Sequence, residues 1–147
     1  MLAQEIDFQD IFKLHPTGML LLSADLVILD ANDAFLADVG RDLEELIGHN
    51  FYDEFPKLPA DPGGSPKWTA LDEAITSGRR QCDQLIRYDL EDPDHPGVFV
   101  EHWVTALAQP IRGYDGCVQV MELSVRDITP IIHQYQALQR EEEMQLG

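Results

Sequence analysis

Apolar and polar positions alternate in two regimes along this chain. The first regime covers residues 19–22 and 26–29, two short apolar runs on either side of the polar Ser23-Ala24-Asp25. Two such runs around a tight polar break predict a β-hairpin. Strand-like patterning returns in three longer stretches. Residues 81–88 carry Cys82, Leu85, Ile86 and Tyr88 between polar positions, and residues 98–107 carry Phe99, His102, Trp103, Thr105 and Leu107. Residues 117–125 place Val118, Val120, Glu122 and Ser124 against Cys117, Gln119, Met121, Leu123 and Val125. Neither face of that last stretch is cleanly polar, so it belongs inside a sheet. Between the third and fourth strands lies the polar turn 91–97. Asp115-Gly116 marks the next turn.

The second regime has the three-to-four spacing of helices and fills the middle and the two ends of the chain. Residues 1–15 form a helical lead-in that Pro16 and Gly18 terminate. Asn32 stands where a helix begins, its side-chain oxygen able to accept from backbone N–H groups that have no other partner. Phe35, Leu36 and Val39 line the inner side of that helix, and Gly40 can take the left-handed cap that ends it. Leu43, Leu46 and Ile47 form a second short stripe, closed by Gly48. After the aromatic segment 50–55, residues 56–66 hold four prolines and two glycines and predict a loop. Ser65-Pro66 then opens a helix with Trp68, Leu71, Ala74 and Ile75 inside, ending at Gly78. Thr129-Pro130 opens a last helix with Ile131, Tyr135 and Leu138 on one face. Five antiparallel strands with the helices grouped between the second and third give an α+β fold, its helices packed on one face of the sheet.

Size and charge narrow the function classes. At 147 residues the chain is one domain, large enough to bury a core without disulfide or metal. A net charge of −17 repels phosphate backbones and anionic lipid heads, which sets nucleic acid aside as a partner. Two cysteines, Cys82 and Cys117, make no secreted disulfide framework and read as buried thiols of a cytoplasmic protein. No apolar stretch is long enough for a membrane helix. The opening residues MLAQEIDFQD have no basic region ahead of an apolar core, unlike a signal peptide.

The order of these features resembles a PAS domain. A hairpin is followed by Asn32 at a helix start, then Ala34-Phe35, Gly40 and Glu44-Glu45-Leu46-Ile47-Gly48. Arg126-Asp127-Ile128-Thr129 after the last strand is similar to the Asp-Ile-Thr junction that joins the sheet of many PAS domains to an output helix. The Phe55-Pro56 stretch and Arg87-Tyr88-Asp89-Leu90 look closest to PAS modules of bacterial sensory proteins, including two-component hybrid histidine kinases. The resemblance covers residues 11–129. It implies an N-terminal helical cap over 1–15, a PAS domain over 16–129, and an output or linker helix over 130–147. It also implies a sensory signal-input module, homodimeric through its N- and C-terminal helices and coupled to a signalling output domain or partner protein. Asp127, Ile128 and Thr129 would relay the signal, with Asp127 pairing with a nearby base and Thr129 capping the helix. Asn32, Gly40 and Gly48 would be structural caps.

A ligand in such a fold sits between the sheet and the mid-chain helices. Candidate lining residues are Phe35, Leu46, Phe51, Trp68 and Leu71 from the helices, and Ile86, Trp103, Met121 and Leu123 from the strands. These are also the positions a self-filled core must use. Flavin-binding light sensors of the superfamily carry an Asn-Cys pair where this chain has Asn50-Phe51, so the reading speaks against a covalent-adduct flavin. Haem-binding members offer a histidine from the mid-chain helix, and residues 66–77 have none. The expectation is therefore no cofactor, or an unknown small molecule, and no metal. Asp89, Glu91, Asp92 and Asp94 lack the spacing of a calcium loop. No phosphate loop, hydrolase elbow or kinase phospho-acceptor helix is present. Two alternatives stand beside the sensory reading. One is a small acid–base enzyme using His102 with Glu101 or Glu122. The other is a dimerisation domain with a solid core.

Overall fold

The structure, a computed structural model, describes residues 6–55 and 69–146. A five-stranded antiparallel sheet carries short helices on one face, and a helix lies at each end of the chain. Helix α1 is Phe8–Leu14 and leads into β1, Gly18–Ser23, and β2, Ile28–Ala31. Three short helices follow: α2 (Asp33–Val39), α3 (Leu43–Leu46) and α4 (Phe51–Glu54). Helix α5, Thr69–Ser77, precedes β3, Gln81–Arg87. A two-stranded ribbon, β4 (Leu90–Glu91) with β5 (Phe99–Val100), interrupts the main sheet's sequence. The chain then runs through β6 (Trp103–Arg112), β7 (Val118–Asp127) and the terminal helix α6 (Thr129–Leu146).

Strand order is β2-β1-β7-β6-β3, so β7 is central, as its two-sided apolar pattern predicts. The first and last segments of the fold therefore meet in the middle, with Gly18 opposite Val125 and Leu22 opposite Met121. Alternation sends Leu20, Leu22, Val104, Ala106, Ala108, Met121 and Leu123 to the helix side, each 7% exposed or less. Burial of the larger of these, the three leucines, Val104 and Met121, is worth about 1.5–3 kcal/mol each and holds the two layers together.

Two local features fix how the helices sit. A Cβ on Gly18 would lie 3.0 Å from the Val125 carbonyl oxygen and 3.1 Å from the Phe35 Cα, so only glycine lets α2 approach β1 this closely. Asn32, fully buried, does more than cap α2. Its Oδ1 accepts from Phe35 N at 3.1 Å and from Met19 N at 2.9 Å. Its Nδ2 donates to the carbonyls of Thr17 at 2.8 Å and His15 at 3.4 Å. One amide side chain thus joins the helix, the first strand and the exit from α1. Gly40 ends α2 in the left-handed region at φ 65°, as its position predicts, and Gly48 has φ 84°.

Three sequence readings are corrected. The run 98–107 is not one strand: Phe99–Val100 pairs with Leu90–Glu91, and the sheet strand starts at Trp103. That strand also runs past residue 107, through Pro110 to Arg112. Even-numbered residues of β6 direct their backbone toward β3, as Tyr88 N donating to His102 O shows, and β3 begins only opposite Ala108. Pro110 therefore lies where no ladder bond is lost. Finally, Cys82 and Cys117 are exposed free thiols, not buried ones. Cys82 opens β3, and Cys117 sits in the tight turn before β7, where its N–H donates to Asp115 Oδ1 at 2.9 Å.

Candidate functional site

Two places bring chemistry-bearing residues together: a cleft on the helix side of the sheet, and the joint from which α6 departs. The cleft has a volume of about 510 Å³. One wall is the C-terminal end of α2 and the segment after it, Val39 to Arg41. The floor is Phe55 and Tyr88, and the opposite wall is the ribbon from Asp89 to Phe99. Pro93 of that ribbon lies over Gly40, where an added Cβ would come within 2.9 Å of the proline Cγ. Beneath the floor is an apolar void of about 40 Å³, bordered by Phe35, Phe51, Val104 and Val125 among others. Cleft and void share Val39, Phe55, Tyr88 and Leu90 as walls.

Charges at the cleft are organised before any ligand arrives. Arg41 donates through its Nη2 to Glu54 Oε2 at 2.8 Å and through Nε to Glu45 Oε2 at 2.8 Å. His49 Nδ1 meets the other oxygen of Glu54 at 2.8 Å. The Arg41 hydrogen bond, helped by His49, holds the Glu54 carboxyl below the usual glutamate range. The Glu54 contact raises Arg41 in turn. Burial pushes the Tyr88 phenol up. On the ribbon, Glu91 Oε1 accepts from Gly97 N at 2.9 Å, Asp92 Oδ1 from Asp94 N at 2.9 Å, and Asp89 pairs with Arg87 at 3.1 Å.

The lining residues expected from sequence divide in three. Phe35, Leu46, Phe51, Leu71, Ile86, Met121 and Leu123 are all in the core cluster, and of these Phe35 and Phe51 border the void. Trp103 alternates to the other side of β6: the Arg87 guanidinium lies 5.9 Å from its ring centroid, and its indole N–H donates to Glu101. Trp68 lies outside the described residues. Val39, Phe55, Tyr88 and Leu90, which line both cavities, are absent from the sequence-derived set. The ribbon wall was hidden because 91–97 reads as a plain polar turn.

At the joint, Ile128 N donates to Trp103 O at 2.8 Å, and Trp103 N donates to Thr129 Oγ1 at 2.8 Å. The helix-start role expected of Thr129 falls to Asp127. Thr129 spends its hydroxyl on the sheet, and Asp127 Oδ1 accepts from Thr129 N at 2.9 Å, serving the helix start. Glu101, held low by the Trp103 indole, also lies 3.6 Å from His133 on the first turns of α6. The base expected beside Asp127 is His102, whose Nε2 lies 3.9 Å from Asp127 Oδ2. His102 in turn donates through Nδ1 to Val100 O at 2.9 Å. Asp38 of α2 faces the same corner. Burial, reinforced by Asp127 and opposed by His102, raises its carboxyl above the usual aspartate range.

No acid–base pair forms on His102 with either glutamate considered for an enzyme. Glu101 goes to Trp103 and His133, while Glu122 lies opposite Leu21 and Gln109 on the face of β7 away from Met121 and Leu123. Among the described residues there is no group of three or more His, Cys, Asp or Glu side chains placed to hold a metal ion. Nor is any helix of the described residues long and apolar enough to cross a membrane.

The sequence profile of the PAS fold family matches residues 12–130. The chain belongs to the PAS fold family. Solved PAS-type structures agree at low identity. A structure described as an RNA-binding light-oxygen-voltage receptor shares 20% identity at a TM-score of 0.68, covering 94% of this chain. This chain spans only 37% of that receptor. A light-oxygen-voltage domain studied with a flavin analogue shares 16% identity at a TM-score of 0.62, covering 96% of this chain and 98% of its own. A sensory box sensor histidine kinase from Vibrio cholerae shares 19% identity at a TM-score of 0.54, covering 87% of this chain and 94% of its own. No curated protein matches the chain. The expectation of no cofactor or an unknown small molecule, with a covalent-adduct flavin set aside, is corrected by these light-oxygen-voltage neighbours, which make flavin a plausible ligand of this fold. Phe51 in place of cysteine removes a thiol that could form a covalent adduct. It does not decide whether the fold holds a flavin without one.

Proposed function

We propose that this PAS domain is a signal-input module in which the state of the sheet and its cleft is passed to α6 through the joint at Asp127, Ile128 and Thr129. The observation that carries this reading is the form of that joint. Two hydrogen bonds fasten Trp103 at the start of β6 to Ile128 and Thr129 at the start of an 18-residue helix. No residue of that helix is buried, and Ile131, Tyr135 and Leu138 are each more than half exposed. An apolar stripe held at one end and left exposed among the described residues suits a second helix.

The same holds at the other end, where Phe8, Ile11 and Leu14 of α1 are exposed. The division that follows is a cap over 1–15, a sensory core over 16–129 and an output helix over 130–147. Homodimerisation through the two terminal helices, and attachment to or partnership with a signalling protein, complete the reading. A ligand at the cleft and void would shift the population of helix pairings. Flavin is among the ligand classes this reading admits.

Sedimentation of the freshly purified chain, with its visible spectrum recorded in the same cell, tests this. A concentration-dependent dimer that Ile131→Glu with Leu138→Glu converts to a folded monomer is expected. A folded monomer at high micromolar concentration for the unaltered chain overturns the pairing.

A further inference from the structure

We infer that the outer cleft between Arg41 and the β4–β5 ribbon is a binding site for a small organic cation with an apolar body. The inference rests on the reading of the cleft as the input site and names its ligand class: the cleft shares Val39, Phe55, Tyr88 and Leu90 with the interior void, and its outer wall is the ribbon, which stands outside the five-stranded sheet. Its volume of about 510 Å³ falls within the roughly 300–1,000 Å³ of small-molecule sites.

Three aromatic residues from three separate segments line it: Phe55 after α4, Tyr88 after β3, and Phe99 on β5. Phe55 and Tyr88 are buried and form a fixed floor, while Phe99 at the rim is 63% exposed. Exposure of that size, flanked by the exposed Val98 and Val100, leaves an aromatic face open beside the cavity. Aromatic faces attract cations through their quadrupole.

The sign of the charge comes from the polar lining. Four acidic residues, Glu54, Asp89, Glu91 and Asp92, line the cleft with a single guanidinium, Arg41; Glu54 is paired with Arg41, and Asp89 with Arg87 outside the lining, which leaves the excess negative charge on Glu91 and Asp92. Arg41 is already committed to Glu54 and Glu45 at 2.8 Å each, so no cation in the lining is left to receive an anion. The Glu91 and Asp92 carboxylates are fixed in place by the ribbon's own backbone N–H groups. The chain's net charge of −17 adds a field that draws cations toward any concave acidic surface. An anionic ligand would meet repulsion here from both sources. An ammonium on an aromatic or alkyl body satisfies walls and rim together.

Three probes of one shape and different charge test this on the whole chain: 2-naphthylmethylammonium, 2-naphthylmethanol and 2-naphthylacetate. Binding is read by calorimetry and by amide chemical-shift mapping. The ammonium should bind roughly tenfold or more tighter than the acetate, less so at high salt, with shifts at Gly40, Arg41 and residues 89–99. Phe99→Ala, a rim substitution outside the core, should weaken the ammonium about three- to tenfold and leave the shift map of the sheet unchanged. Asp89→Asn should narrow the gap between ammonium and acetate. Equal or tighter binding of the acetate, an unchanged affinity in Phe99→Ala, or shifts confined elsewhere overturns the inference, as does saturable binding by none of the three. None of these outcomes touches the relay at the helix joint, which is read by sedimentation.

Discussion

Replacing Asn32 by alanine tests how much of the fold hangs on one buried amide. The side chain is fully buried and makes four hydrogen bonds, to Met19 N, Phe35 N, Thr17 O and His15 O. Loss of the cap to Phe35 N costs about 1 kcal/mol. Loss of the strong contacts to Met19 N and Thr17 O leaves a donor and an acceptor without their partner, at about 1–3 kcal/mol each. The His15 contact at 3.4 Å is long and adds little. The expected total is roughly 3–7 kcal/mol, a large fraction of the roughly 5–15 kcal/mol that holds a domain folded. With a urea slope of about 2 kcal/mol/M, the unfolding midpoint should fall by roughly 1.5–3.5 M at unchanged slope. Asn32→Ser separates the roles, because a serine hydroxyl can cap α2 but cannot also reach Thr17. It should recover only about 1 kcal/mol of the loss. A midpoint shift below about 0.5 M for the alanine variant, or full recovery by serine, would refute the claim that Asn32 ties α1, β1 and α2 together.

Thr129→Val keeps the shape of the joint and removes the acceptor for Trp103 N. Hydrogen exchange should quicken at the Trp103 amide and along the start of α6, and stability should fall by about 1–2 kcal/mol. Unchanged protection at Trp103 would show that the sheet and helix are not fastened there. For pH, Glu54 and Asp38 have opposite signs. The Glu54 carboxyl is depressed in the fold, so its stabilisation is present above the ordinary glutamate range and lost as pH falls through its lower folded value. Asp38 is raised, so the fold favours its protonated form and loses stability as pH rises from the ordinary aspartate range through the higher folded value. Acid unfolding followed by circular dichroism should therefore be less steep in Glu54→Gln, while Asp38→Asn should be at least as stable as the parent at neutral pH. A parent-like acid limb in Glu54→Gln, or a destabilised Asp38→Asn, would contradict these assignments.

What the sequence made legible was whatever depends on neighbours along the chain. The Ser23-Ala24-Asp25 turn, the Asn32 cap, the Gly40 stop and the centrality of the last strand all follow from local spacing, and the structure has them. The second half of Asn32's work was not legible, because His15, Thr17 and Met19 come to it only when β1 packs beside α2. The same limit applies to the 98–107 run. Half-alternating apolar residues can pair with any exposed edge, and here Phe99–Val100 takes Leu90–Glu91 while Trp103 onward takes β3 and β7. That choice of partner creates the ribbon, and the ribbon creates the cleft, so no local pattern could have announced it. Phe51 is the converse case. Its missing thiol is plain from the sequence, but that thiol bears on bond formation, whereas occupancy depends on cavity walls contributed by α2, α4, the end of β3 and the ribbon. Function in this fold sits where distant segments meet, and the segments that meet at Tyr88 and Trp103 are joined by tertiary pairing that single-residue motifs do not encode.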